Sequence, residues 1–538
     1  MEVVDHMPKA SPATSRPDDG LRIGIDVGGT HTDAVLLDGD VVIAAHKART
    51  SRDVATGILD ALEAILDRGL GEPDRSGASG IENRIEAVML GTTQFTNAVV
   101  ERRELAEVAA VRIGLPSGRG IPPKTGWPGD IARSLGEHVY MLHGGYLYDG
   151  WPLAALDDGE IKRVIADIKA RRLEAVAISS AFSPMNPDPE RQFAARLRAE
   201  LPHIHICESH SIGRLGLLER ENAALLNAAL LDFAQGVVGS FERAIRERGL
   251  NCRFYISQND GTLMDAGFAR RFPALTFASG PTNSLRGAGK LTGLADAIVV
   301  DIGGTTSDIG ILRGGFPRES NTVIEVGGIR TNFRMPDILS IGLGGGSLVN
   351  DDGTRVGPRS VGHELIDKAL VFGGGRLTAT DIVVAAGGAA IGEPAKTRHL
   401  DPAVVATAQV RIGAMLNAAI DKMKPGGEAL PVVLVGGGAV LAPEALAAAP
   451  EILLPEHAGV ANAIGAAIAE IGGEAERMVS YEKIPRREAI DQVTAEARRN
   501  AEKAGASPAS IRLADVEETA LSYMPGNVTR LRVKVVGK

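Results

Sequence analysis

Residues 23–37 read IGIDVGGTHTDAVLL and residues 299–312 read VVDIGGTTSDIGIL. Aligning Asp26 with Asp301 puts Gly28 on Gly303, Gly29 on Gly304, Thr30 on Thr305 and Asp33 on Asp308, at a constant offset of 275 residues. Two copies so far apart are not a solenoid period. They imply two similarly built domains that face each other. In each copy a β-branched run carries an aspartate to the end of a strand, two glycines turn the chain, and an extended run resumes.

The residue types specify a chemistry. The glycines let the backbone turn sharply and leave no Cβ beside a ligand. Their N–H groups can point at phosphate oxygens and form an anion-binding concavity. Thr30, Thr32, Thr305 and Thr306 add hydroxyls. Three carboxylates, Asp26, Asp301 and Asp308, would repel phosphate unless a cation lay between them. Magnesium, held by one or two carboxylates and several waters, meets that need. One Gly-Gly-Thr turn alone would read as a hairpin whose glycines supply positive φ. Two copies sharing Asp, Gly, Gly, Thr and Asp in register argue for the metal–phosphate reading.

Around the two copies the chain alternates strand and helix patterns, which makes the fold α/β. Residues 1–20 are polar and read as a disordered leader. Residues 21–205 read as a first domain, with strands at 84–91, 106–113 and 173–179 and a helix at 53–69. The Gly- and Pro-rich stretch 115–151 between them reads as a loop or inserted subdomain. Residues 206–295 read as connecting helices and the start of a second domain, with one or two helices over 213–250 and a strand at 252–260. Residues 296–474 form that second domain, with helix pattern over 378–424 and a strand at 431–438. Residues 475–538 read as a small α+β module with a helix at 488–504 and a strand at 529–537.

Composition narrows the function. The net charge of −9 is spread along the chain without a basic run, and only 4% of residues are aromatic, so a nucleic-acid partner has little support. The apolar stretch 431–454 is broken by prolines, glutamates and glycines, so no membrane span is expected. With two cysteines, Cys207 and Cys252, neither a disulfide framework nor a cysteine-rich zinc site is expected. The combination points to the cytoplasm.

The chain resembles the hydantoinase A/5-oxoprolinase family, within the actin, sugar-kinase and acetate-kinase superfamily. The resemblance covers about residues 21–470. DVGGTHTDAVL and GTTQFTNAVVERR resemble the family's N-terminal domain. SGPTNSLRGA (279–288), VVDIGGTTSDIGIL and GGIRTNFRMPDILSIGLGGGS (327–347) resemble its second domain. The first turn carries His31 where the family more usually has an aromatic residue, and the chain is shorter than typical members. The resemblance implies two actin-like (ribonuclease H-like) domains flanking a cleft for ATP and magnesium. It implies ATP-dependent opening of a cyclic amide such as a hydantoin or 5-oxoproline, through phosphorylation of the amide oxygen. A separate B-type subunit often completes the reaction. Some relatives are instead subunits of ATP-dependent ketone carboxylases, and an ATP-gated non-enzymatic switch is a further alternative. A homo-oligomer is possible on this reading.

Other residues carry weaker signals. In actin-like folds a Gly cluster after a late strand lets the backbone lie against a nucleotide, which points to Gly436, Gly437 and Gly438 and, less directly, to Gly344 and Gly345. Gly373–Gly375 reads as a loop. Thr92, Thr93 and Asn97 suit a helix start or a substrate contact. Asp260 ends a strand in SQNDG, where it suits an Asx turn or a general base. Arg330, Asn332 and Arg334 bring donors that suit either phosphate or salt bridges. His203, His205 and Cys207 alternate along one strand with His210 nearby, and a polar strand face is expected there rather than zinc.

Overall fold

The computed structural model describes residues 20–28, 31–49, 54–69, 84–148, 150–320, 323–424, 426, 428–521 and 526–538. Gly29 and Thr30 of the first turn, and all but the last residue of the 1–20 leader, lie outside the described residues.

Strands β1 (Leu21–Val27), β2 (His31–Asp38), β3 (Val41–Arg49) and β4 (Ile85–Thr92) open the chain. β1 is buried along nearly its whole length, as a central strand covered on both faces must be. Strands β5 (Val108–Leu115), β6 (Val139–His143), β7 (Ala175–Ser180) and β8 (His205–Glu208) form a separate parallel sheet in the order β6-β5-β7-β8. The Gly/Pro-rich stretch is therefore not all loop: it supplies a short helix, Gly129–Ser134, and the edge strand β6. A single helix, Leu217–Glu247, follows.

Strands β9 (Arg253–Ser257) and β10 (Leu263–Asp265) then return to the first sheet, where β9 lies parallel to β4. The second half holds β11 (Ala297–Ile302), β12 (Ser307–Arg313), β13 (Phe316–Pro317), β14 (Ile324–Val326), β15 (Ile329–Thr331), β16 (Ile338–Ile341), β17 (Ser347–Val349), β18 (Val356–Ser360), β19 (Val432–Val435) and β20 (Ile452–Leu453). Its main sheet runs β13-β12-β11-β19-β20, with β16 also pairing β12. The helical pattern over 378–424 resolves into two helices, Ala379–Ala385 and Pro402–Met423.

The C-terminal strands are β21 (Ile471–Ser480), β22 (Arg512–Ala520) and β23 (Val528–Gly537). They do not stand apart as an appended module. β21 pairs with β10, and the first sheet runs through nine strands in the order β22-β23-β21-β10-β9-β4-β1-β2-β3. Helix Arg486–Lys503 covers this extension and buries Val493, Ala497 and Ala501. The fold is thus of the expected α/β class, with the first sheet completed by both early and late segments.

Two helices pack across the middle. Ser279–Thr292 and Ala461–Ile468 cross so closely that a Cβ on Gly287 would overlap the Ala461 carbonyl and one on Gly465 would overlap that of Asn283. The second of these helices also lies on β1, where Gly24 leaves room for Ala463 and Ala467. This crossing fixes where Asn283, Ser284 and Asn462 point.

Leu217–Glu247 and Pro402–Met423 are long and apolar enough to cross a membrane by length and composition alone. The first contributes a row of buried leucines and alanines to the largest core, and the second packs Val405, Ile412, Leu416 and Ile420 into the core of the second half.

Candidate active site

Each repeat folds as an antiparallel hairpin. The Gly28 N–H donates to the His31 carbonyl at 3.0 Å, and the Gly303 N–H donates to that of Thr306 at 2.9 Å. In the ladders Asp26 stands opposite Asp33, and Asp301 stands opposite Asp308. Each hairpin therefore presents a cross-strand pair of carboxylates, a juxtaposition that costs stability unless other groups offset it.

Around the first pair the offset comes from side chains. Asn462 Nδ2 donates to Asp26 Oδ2 at 3.0 Å and to Asp33 Oδ2 at 2.9 Å. Asn283 Nδ2 reaches Asp26 Oδ1 at 3.3 Å. The Lys47 ammonium, on β3, lies 2.6 Å from Asp33 Oδ1 and donates to the Gly459 carbonyl at 3.0 Å. Even so, burial and the neighbouring Asp33 charge push the Asp26 carboxyl up to about 6, with the two asparagines and Lys47 opposing.

Around the second pair the partners are hydroxyls. Ser284 donates to Asp301 Oδ2 at 2.5 Å, and Ser340 hydrogen-bonds to Asp308 Oδ1. Burial raises the Asp301 carboxyl to about 6; the Ser284 hydrogen bond opposes this, and the charges of Asp308 and Asp26 add to it. Burial likewise raises Asp308, with Ser340 opposing. Asn283 and Ser284, adjacent on helix Ser279–Thr292, bond Asp26 and Asp301 respectively, so the hairpins converge although 275 residues separate them in sequence. Carboxylates raised by burial and like charge mark a candidate functional site.

Glycines close the second hairpin. The Gly345 and Gly346 N–H groups donate to the Gly303 and Gly304 carbonyls at 3.0 and 2.7 Å, and Gly438 donates to Ile302 at 2.7 Å. Gly436 has φ +85°, and a Cβ there would overlap Asp301 Oδ1. A Cβ on Gly91 would overlap Asp26 Oδ1 in the same way. Gly437 lies beside the Lys47 side chain. The two late glycine clusters therefore meet the second turn, and Thr305 and Thr306 stand exposed at its tip. Thr32 is buried. The arrangement combines buried carboxylates, glycine-lined backbone and exposed hydroxyls, which suits a phosphate group with a bound cation. No three His, Cys, Asp or Glu side chains form a metal cage among the described residues. A magnesium ion taking one or two carboxylates and several waters needs none.

Other sequence candidates fall in different places. Thr93 sits at the start of helix Gln94–Glu101, but its side chain makes no cap hydrogen bond. Its hydroxyl donates to the Val27 carbonyl at 3.4 Å and accepts from Asn97. Gly280 separates Thr93 from Asp26. Thr92 is buried, and its hydroxyl accepts from the Gln94 N–H at 3.3 Å.

Asp260 is corrected by its surroundings. It closes an Asx turn onto Thr262 and pairs with Lys534 of β23 at 2.8 Å. Burial would raise its carboxyl, but the Lys534 charge and hydrogen bonds win and hold it well below the usual range. A carboxylate so held is a poor general base. It faces a cavity of about 920 Å³ whose lining includes none of the four hairpin aspartates. Arg334 pairs with Glu474, Arg330 lies 3.7 Å from Glu219, and Asn332 donates to the Arg214 and Leu215 carbonyls, so all three serve contacts outside the carboxylate cluster. Cys207 is buried in the largest core beside Asn227, His210 pairs with Glu190, and His203 precedes β8, so the polar strand face expected for His203, His205 and Cys207 does not form.

Sequence reasoning passed over Asp33, Lys47, Asn283, Ser284, Ser340 and Asn462. Asp33 had a signal, since it aligns with Asp308 in the repeat. Asn283 and Ser284 lie in SGPTNSLRGA, a segment recognised for its resemblance and not for their contacts.

Residues 22–201 match the hydantoinase/oxoprolinase N-terminal region, and residues 220–423 match the hydantoinase/oxoprolinase model. The chain is 28% identical over 392 residues to the caprolactamase subunit alpha of Pseudomonas jessenii, covering 68% of this chain and 54% of that one. It is 30% identical over 403 residues to the acetophenone carboxylase gamma subunit of Aromatoleum aromaticum, covering 68% of this chain and 53% of that one. The chain thus spans about half the length of these curated relatives. The crystal structure of the ATP-dependent caprolactamase from Pseudomonas jessenii shares the fold, with a TM-score of 0.76 at 20% identity, over 96% of this chain and 87% of that one. This chain belongs to the hydantoinase/oxoprolinase family.

Proposed function

We propose that the chain is the ATP-binding subunit of an enzyme that opens a cyclic amide, such as a hydantoin, 5-oxoproline or another lactam. The observation that carries this reading is the convergence of the Asp26 and Asp301 hairpins on the neighbouring residues Asn283 and Ser284 of one helix. Asp26 and Asp301 would hold magnesium, directly or through water, with Asp308 as a third carboxylate. Gly28, Gly29, Thr30 and Thr32 of the first hairpin, and Gly303, Gly304, Thr305 and Thr306 of the second, would hold the phosphates. Gly344, Gly345 and Gly436–Gly438 would let backbone approach the nucleotide.

ATP would supply a phosphoryl group for the amide oxygen, which turns a poor electrophile into an activated carbon with a good leaving group. The chain's own work is positioning and charge neutralisation. Asn462, Asn283 and Ser284 hold the carboxylates in fixed orientations, and the glycine turns leave space beside them without Cβ obstruction. Thr93 and Asn97 stand beside the Asp26 side of the site, where they would contact substrate. Asp260 is engaged by Lys534, so the hydrolytic base falls to another group. A B-type partner subunit would supply it. The names of the relatives support a multi-subunit setting, since both are called subunits. A cytoplasmic location fits this reading, in which Cys207 and Cys252 stay free.

A second reading is favoured by the acetophenone carboxylase relative. In it the phosphorylated oxygen belongs to an enol or to bicarbonate. One assay separates the two: ADP release by the chain, alone and with its partner subunit, against a panel of lactams and cyclic imides and against ketones with bicarbonate. Stimulation by a cyclic amide supports the first reading. Bicarbonate-dependent turnover with a ketone supports the second. Tight ATP binding with no turnover under any condition would favour a nucleotide-gated switch.

A further inference from the structure

We propose that Lys47 is a positioning residue that ties the two carboxylate hairpins together. The inference deepens the nucleotide reading above and partly rests on it.

Lys47 lies on β3, an edge strand of the first sheet, where an alternating strand would ordinarily send a lysine to solvent. Its ammonium instead turns to Asp33 Oδ1 at 2.6 Å and to the Gly459 carbonyl at 3.0 Å. Asp33 belongs to the first hairpin. Gly459 belongs to the chain that leaves the second sheet after β20, on its way to the helix that carries Asn462.

The residue before Gly459 completes the link. The Ala458 carbonyl accepts from the Gly436 N–H at 2.9 Å. Gly436 in turn lies against Asp301, and Gly437 lies beside the Lys47 side chain. A continuous path therefore runs from Asp33 through Lys47 to the 458–459 backbone, then to the Gly436 turn and Asp301. Three of its links are hydrogen bonds or ion pairs of 3.0 Å or less.

Lys47 also sets the first hairpin internally. By pairing with Asp33 it offsets the charge opposite Asp26, and Asn462 can then bridge both carboxylates through one amide. The charge-assisted contact to Asp33 is short and its carboxylate is buried, the setting in which such contacts are strongest. Removing the ammonium would leave Asp33 buried beside Asp26 without its cation and free the 458–459 backbone from the first sheet.

The test uses the full chain. Hydrogen exchange on the ligand-free wild type, Lys47→Met and Lys47→Arg is read in segments 436–441, 458–460 and 471–480. ADP affinity is measured by calorimetry on the same proteins. Lys47→Met should speed exchange about tenfold or more in 436–441 and 458–460, as expected when a local contact holding a segment closed is lost. Exchange in 471–480, at the far side of the first sheet, should stay unchanged. ADP affinity should fall about tenfold, the scale of one lost charge-assisted contact. Lys47→Arg, which can still reach an oxygen on each side, should restore both readouts. Unchanged exchange in 436–441 and 458–460 overturns the proposal, and with weakened ADP binding it marks Lys47 as a direct phosphate ligand instead. Exchange that rises equally in all three segments also overturns it, because Lys47 would then be a general stabiliser. If the wild type binds no ADP, the nucleotide reading fails while the exchange arm still decides the role of Lys47.

Discussion

The two hairpins share a backbone and differ in what surrounds it. The Asp26–Asp33 pair is held by side chains: two asparagine amides and one ammonium. The Asp301–Asp308 pair has hydroxyl partners, and its turn is enclosed by glycines from two later parts of the chain. Long polar side chains hold charges at set positions. Glycine backbone leaves space for a ligand beside the turn. The first hairpin is therefore the better built to orient a cation, and the second to accept phosphate.

The strongest challenge to this division is Gly436→Ala. An alanine at φ +85° is strained, and its methyl would overlap the Asp301 carboxylate. Calorimetry should show MgATP binding lost with the fold retained. Binding at wild-type affinity would remove the glycine turn from the site.

Asp26→Ala and Asp301→Ala come next. Each should weaken MgATP by about ten- to a hundredfold, the worth of one charged contact. If Asp26 is the principal cation ligand, its loss should reduce the dependence of binding on magnesium more than the loss of Asp301. Equal effects on that dependence would erase the proposed division of labour.

A smaller effect concerns pH. Asp26 and Asp301 titrate near 6 in the folded chain and near their ordinary value when unfolded. The folded state then holds the extra protons between about pH 4 and 6, so the contribution of these groups to stability falls as pH rises through that window. Asp301→Asn should remove its share, making the ligand-free protein more stable than wild type near pH 8 by on the order of 1 kcal/mol, with the gap closing toward pH 4. Denaturant melts at both pH values measure it. Affinity for the metal–phosphate ligand should run the other way, rising with pH as the carboxylates ionise.

The smallest expected change is for Thr305→Val and Thr306→Val. Both hydroxyls are exposed at the turn, and each should cost about three- to tenfold in nucleotide affinity, the range of one neutral hydrogen bond. No change in either would leave backbone N–H groups as the phosphate donors.

The repeat made the two hairpins legible because their chemistry is local: five residues of three types at fixed spacing specify turn, carboxylate and hydroxyl together. Gly436 and Gly344 were legible for the same reason, as clusters following apolar runs. Lys47 was not, since a single lysine on a strand carries no sign that it will turn inward to Asp33. Asn462 was hidden because only the glycine-mediated crossing of its helix with Ser279–Thr292 brings it to Asp26. The C-terminal elements were readable as a helix and a strand, but pairing between β10 and β21 joins residues remote in sequence, and local pattern does not encode such partners. Asp260 misled for a related reason: the lysine that neutralises it comes from β23, 274 residues later in the chain.

That late pairing has a consequence for biosynthesis. β9 and β10 emerge from the ribosome well before β21, yet β10 has its outer neighbour only once β21 exists. Until then a growing polypeptide carries an uncapped sheet margin, the kind of surface that other chains can join. Translation speed through the intervening 266–470 segment, and chaperones that shield the margin meanwhile, should govern how much of the protein is recovered in native form.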